Sequence, residues 1–150
     1  MSSLAAVLGA FGERLGIPGL SFDRQGCCRL VFDGQRMLEL RAASLQRRMV
    51  LSMKLGSAGA GLGGQRERVL LQANFWNAGT GGGWFALDEA GQVCLQQEVL
   101  LTEDSDAQLL VKIEGLLNSV ELWERKLAEA GGTAGTSTSA VSLFHVGQRV

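Results

Sequence analysis

The sequence predicts an α+β fold: helix, three strands, helix, two strands and a closing helix, with a twisted antiparallel sheet covered by the helices and the chain forming a homodimer. Three observations carry that reading. Apolar residues recur at helical spacing near both ends, over 4–15 and 109–127. Between them lie short segments that alternate apolar and polar residues, joined by tight turns such as Asp33-Gly34. Turns that short make antiparallel neighbours, because parallel pairing needs a long crossover.

Residues 2–16 read as an amphipathic helix with Leu4, Val7, Leu8, Phe11 and Leu15 on one face. Ser2 or Ser3 offers a hydroxyl to the first backbone N–H groups, Gly16 suits the terminating position, and Pro18 bars continuation. Leu20-Ser21-Phe22-Asp23 reads as a short extended segment. Over 27–33, Cys28, Leu30 and Phe32 face one way and Cys27, Arg29, Val31 and Asp33 the other. The return strand, 36–42, aligns Leu38, Leu40 and Ala42; a third, 49–55, aligns Met49, Leu51, Met53 and Leu55.

Residues 56–64 (GSAGAGLGG) read as a glycine linker. The helix expected over 66–77 is apolar nearly all round, at Val69, Leu70, Leu71, Ala73, Phe75 and Trp76. Such a helix must be covered nearly all round, and one small sheet covers one side. A second copy of the chain is the expected cover of the other. Residues 84–88 and 93–101 form a hairpin through Asp88-Glu89-Ala90-Gly91. The closing helix runs from N-cap residues in 102–106 to about Ala130, with Leu109, Ile113, Leu116, Val120, Trp123 and Leu127 in register. One domain, 1–130, is expected, followed by a flexible tail over 131–150, whose small polar residues bury too little surface to offset ordering entropy.

The 150 residues carry a formal net charge of −1 with scattered lysine and arginine, which argues against nucleic acid and anionic membrane surfaces as partners. No window approaches the roughly 20 apolar residues of a membrane span. The opening residues lack a secretory signal pattern, so a cytoplasmic location is expected. Three cysteines, Cys27, Cys28 and Cys94, have neither disulfide-framework nor zinc spacing. The single histidine, His145, lies in the expected tail, and no nucleophile has a base nearby in sequence. We therefore expect no catalytic residue, metal site or cofactor. Gly59-Ala60-Gly61-Leu62-Gly63-Gly64 matches GxGxxG, but the flanking strands are hairpins and not a βαβ unit, so it reads as a plain linker.

Three stretches also carry a family likeness. Residues 4–34, LAAVLGAFGERLGIPGLSFDRQGCCRLVFDG, give an opening helix, "LG.P.L.fd..G.c.l..d" and a hairpin. Residues 70–101 follow "LL.aN......GG..l.ld..g.v.L", and Trp123-Glu124 with Leu127 mark the closing helix. Their order and spacing over about 2–130 resemble the CesT/Tir-chaperone family of type III secretion chaperones; the longer glycine linker and the tail depart from it. The resemblance implies a homodimeric, non-catalytic, cytoplasmic chaperone of a Gram-negative bacterium, with a part in virulence. It would bind the N-terminal segment of a secreted effector, keep it non-globular and present it to the secretion apparatus, with the secretion ATPase as a further partner. Family dimers pair through the second helix and the following strand, which implies Leu71, Phe75, Trp76 and Trp84 at the dimer interface. Effector segments lie on apolar patches and can add a strand to the sheet, which implies Leu8, Phe11, Leu15, Leu20, Phe22, Leu30 and Phe32. The alternative expectation is a non-catalytic subunit of a stable cytoplasmic complex with no secreted client.

Overall fold

The computed structural model describes residues 3–43, 48–56, 58–100 and 105–132. These hold helices α1 (Leu4–Arg14), α2 (Gly64–Asn74) and α3 (Ser105–Gly132), and strands β1 (Cys27–Phe32), β2 (Arg36–Ala42), β3 (Arg48–Lys54), β4 (Trp84–Leu87) and β5 (Val93–Leu100). The strands form one antiparallel sheet in the order β1-β2-β3-β5-β4, so β1 and β4 are its edges. The expected α+β class and element order are therefore present. Two compact units divide the chain: a first of 1–53 with 97–117, and a second of 54–96 with 118 onward.

In the first unit, Ser3 caps α1 by accepting from the Ala6 N–H at 3.1 Å. Gly16, at φ +77°, takes the left-handed position past its end. Gly12 is buried because 17–20 crosses the helix against it: a Cβ there would lie 2.6 Å from the Leu20 Cβ. The β1–β2 turn has positive φ at both Asp33 (54°) and Gly34 (69°), the type I′ geometry the dipeptide predicts. The alternation settles inward at Cys28, Leu30, Leu38, Leu40, Met49, Leu51 and Met53, all buried, but Cys27, expected on the opposite face, is buried as well and Phe32 only half-buried. Leu109, Ile113 and Leu116 of α3 join that core. Residues 20–23, outside any strand, lead into a turn built on Asp23.

In the second unit the core is Leu55, Val69, Leu70, Ala73, Phe85, Val93, Cys94 and Leu95, with Val120, Trp123 and Leu127 of α3. Phe85 and Trp123 meet edge to face at 5.0 Å, and the Trp123 Nε1–H donates to the Gly79 carbonyl at 2.9 Å. In the 79–83 run close approach requires glycine at 83 and crowds position 79. A Cβ on Gly83 would collide with the Gln96 carbonyl oxygen, and one on Gly79 would lie 3.1 Å from the Ala73 Cβ.

Boundaries differ from expectation: α1 is shorter than 2–16, and β1, β3 and β4 each shift by one residue. The second helix begins at Gly64 and stops at Asn74 rather than running through 66–77. Its end is closed by the Gly79 N–H on the Ala73 carbonyl at 3.2 Å, and the chain then enters a 3-10 turn over Phe75–Asn77. The linker is partly ordered, with a 3-10 turn at Ala60–Leu62 and a buried Gly59 packed against Arg66 and Leu127. α3 continues to Gly132, two residues into the expected tail. The N-cap residues 102–104, Leu101 and the tail from 133, with His145, lie outside the described residues.

Candidate interaction surfaces

In the first unit the surface is the β1 edge and the hollow beside it. In an antiparallel pair, opposite residues alternate between those that bond each other and those whose N–H and C=O point away. The Ala42 N–H donates to the Gly26 carbonyl at 2.8 Å, so Gly26 and Ala42 are a bonded pair. In the register Cys28↔Leu40 and Leu30↔Leu38, these pairs then carry the β1–β2 ladder, and Cys27, Arg29 and Val31 direct their backbone groups outward. Asp23 occupies those of Cys27. Its Oδ1 accepts from the Cys27 N–H at 2.9 Å, and its own N–H donates to the Cys27 carbonyl at 2.8 Å. The same Oδ1 accepts from the Gln25 N–H at 2.8 Å. These bonds, from Cys27 first and then Gln25, hold the Asp23 carboxyl below the usual aspartate value, with Arg29 and Arg41 adding to the effect. Arg29 and Val31 remain, and no strand lies beyond them among the described residues.

Beside this edge is an open hollow of about 370 Å³ lined by Ile17, Pro18, Leu20, Asp23, Cys27, Cys28 and Arg29. Burial pushes the Cys28 thiol above its ordinary value. Across the outer face, Arg29 and Arg41 share Glu39 at 3.1 and 3.2 Å, and Val31 stands exposed opposite an exposed Met37.

The residues expected to contact an effector separate by depth. Leu8 and Phe11 are fully buried and Leu30 nearly so, taken by the chain's own core. Leu15, Leu20, Phe22 and Phe32 are half-buried and keep accessible surface. The expectation of contact at Leu8, Phe11 and Leu30 thus falls on side chains enclosed within the chain itself. Val31 and Met37 were not among the expected residues, although their place on the outward-facing register of the hairpin marks them.

In the second unit the surface is a face. Leu71, Phe75, Trp76 and Leu87 are exposed, Trp76 at 85% of its area. Phe75 and Trp76 stack edge to face at 5.6 Å. Trp76 and Asn77 hold positive φ, 59° and 54°. A left-handed conformation costs a residue with a Cβ about 1–2 kcal/mol, so this turn projects two aromatic rings into solvent at an energetic cost. Glu67, Leu70, Leu71, Phe85, Ala86 and Leu87 line a hollow of about 100 Å³ between α2 and β4. Trp84 is half-buried, its Nε1–H donating to Gln96 Oε1 at 2.8 Å. The expectation of a helix apolar nearly all round is therefore corrected. α2 buries Val69, Leu70 and Ala73 on one side and exposes Leu71, and its first turns are polar at Gln65, Arg66, Glu67 and Arg68. Phe75 and Trp76 belong to the turn after it.

No group of three or more residues suited to a metal ion occurs among the described residues, and no described helix is long and apolar enough to cross a membrane.

A search of curated proteins finds no significant match. Among solved structures, the chain is similar to a chain of the ExsC–ExsE complex, with a TM-score of 0.71 and 28% identity over 84% of this chain and 97% of that one. It also resembles the HopA1–SchA chaperone–effector complex, at TM-score 0.66 and 23% identity over 79% and 91% of the two chains. A third likeness is to the Yersinia pestis type III secretion chaperone SycH in complex with a stable fragment of YscM2, at 0.62 and 18% over 81% and 99%. At those last two identities the likeness is one of fold. The model of the Tir chaperone protein (CesT) family matches residues 6–124, a span that contains both surfaces. The chain belongs to the Tir chaperone protein (CesT) family.

Proposed function

We propose that this protein is a type III secretion chaperone that binds the N-terminal region of a secreted effector, keeps it non-globular and presents it to the secretion apparatus. The observation that carries the reading is membership of a chaperone family through a segment that includes the β1 edge with Arg29 and Val31 facing outward. An extended client gains main-chain hydrogen bonds on such an edge, while its alternate side chains enter neighbouring hollows. Leu15, Leu20, Phe22 and Phe32 supply the accessible apolar contacts, with Leu8, Phe11 and Leu30 supporting them from within. Ordering an extended client costs about 2–5 kcal/mol or more, so one short edge is too little and the hollow beside it has to contribute.

The reading includes a homodimer through the second unit, with Leu71, Phe75, Trp76 and Trp84 at the interface. Its support is the exposed apolar face and the strained turn that presents it. Two copies would offer two client surfaces to one effector and raise apparent affinity through effective concentration. The mechanism needs no catalytic group and no cofactor, and it acts in the cytoplasm, where the secretion ATPase would receive the loaded complex.

The test is purification of the intact chain from its own secreting cells. The expected result is one co-purifying secreted protein whose N-terminal segment is protected from proteolysis while the rest is cleaved normally. A stoichiometric partner that is never secreted would favour a stable cytoplasmic complex and overturn the proposal.

A further inference from the structure

We propose that Asn74, assisted by Thr80, seals the β4 edge against an added strand and so restricts the second unit to partners that dock by side chains. The Asp88 N–H donates to the Gln92 carbonyl at 2.9 Å, which makes that pair hydrogen-bonded. By alternation in the register Trp84↔Gln96 and Ala86↔Cys94, these pairs carry the β4–β5 ladder, and Gly83, Phe85 and Leu87 turn their backbone groups outward. Asn74 takes both groups of Phe85: its Nδ2–H donates to the carbonyl at 3.0 Å and its Oδ1 accepts from the N–H at 2.6 Å. A primary amide has one donor and one acceptor side by side, the pairing that a neighbouring strand would offer. Thr80 does the same for Gly83. Its hydroxyl donates to the Gly83 carbonyl, and its carbonyl accepts the Gly83 N–H at 3.4 Å. Leu87 alone is left, at the end of the strand beside the turn.

An exposed edge strand is a template for association, and natural sheets blunt such edges by covering or capping them. Here the cap is a side chain at the last residue of α2. Without it, Phe85 and Leu87 would offer two consecutive outward positions, and a second copy of this chain is the occupant they fit, β4 antiparallel to β4.

The experiment compares the full chain with Asn74→Ala by light scattering and native mass spectrometry across micromolar to millimolar concentration. The expected result is a concentration-dependent rise to at least about twice the wild-type mass, reversed in Asn74→Ala/Leu87→Pro, because proline removes the outward Leu87 N–H without touching the ladder to β5. A folded Asn74→Ala with wild-type mass throughout would overturn the inference, as would large species that persist in the double variant. Should Asn74→Ala lose its cooperative melt, the wild-type chain decides. Its Phe85 amide should exchange at least about 100-fold more slowly than an exposed amide, at a rate independent of protein concentration. Exchange at the exposed rate, or protection that grows with concentration, would refute the seal.

Discussion

At β1 the outward backbone groups of Arg29 and Val31 face away from the ladder, while Leu8, Phe11 and Leu30 of the same unit are already packed in the core. At β4 the arrangement is reversed. Gly83 and Phe85 are capped, while Leu71, Phe75, Trp76 and Leu87 stand uncovered. An open edge over a filled interior suits an extended chain, which brings its own unpaired backbone. A closed edge beside an open apolar face suits a folded partner, which brings side chains and no spare hydrogen bonds. On the proposed function, the two surfaces would discriminate between partners by the state of the partner's backbone rather than by charge.

The largest expected effect separates the two regions directly. Phe11→Asp buries a carboxylate at a fully enclosed site and should cost about 4 kcal/mol or more, abolishing the cooperative melt. Trp76→Glu, exposed in the single chain, should keep a cooperative melt, lowered by no more than the concentration-dependent stabilisation that association supplies, yet abolish self-association in light scattering. A Phe11→Asp chain that melts like wild type would break the contrast. Next is Gly83→Ala, which forces a Cβ onto the Gln96 carbonyl and should cost about 1–3 kcal/mol in denaturant unfolding. Gly82→Ala, with nothing within 4 Å but a φ of +100°, separates backbone strain from that collision.

Val31→Pro sharpens the comparison at β1. Proline removes an N–H that points away from β2, so stability should fall by under about 1 kcal/mol, while protection of the effector segment against proteolysis is lost. Loss of stability in proportion to loss of binding would count against strand addition. The smallest effect is on pH. The Asp23 carboxyl titrates below its usual value because it accepts from the Cys27 and Gln25 N–H groups. Its contribution is therefore present above the unfolded aspartate value and is lost as pH falls through the lower folded one. Amide exchange at Cys27, corrected for its intrinsic pH dependence, should quicken over that acid range in the wild type and be pH-independent in Asp23→Ala.

The inward faces of β2 and β3, the Asp33-Gly34 turn and the buried stripe of α3 were legible because each rests on local periodicity or turn chemistry. The depth of individual apolar residues was less so. Phe11 and Trp76 are both large apolar residues in or beside a helix, but one faces the core and the other follows a helix end. That end is set by Asn74, whose partner Phe85 lies eleven residues on, beyond the reach of a periodicity argument. The family likeness included this asparagine and a glycine pair, at Gly81 and Gly82, without saying why they are needed; the bonds to Phe85 and the positive φ of the two glycines, 65° and 100°, supply the reason.

The exposure of Trp76 has a spectroscopic consequence. The three tryptophans stand at three depths: Trp123 is enclosed at 2%, Trp84 is half-buried and hydrogen-bonded, and Trp76 is 85% exposed. A solvated indole emits to the red and is readily quenched by acrylamide, whereas Trp123 is shielded. A partner that covers Trp76 would desolvate it and shift the emission to the blue. The protein therefore carries a native fluorophore on the exposed apolar face of its second unit.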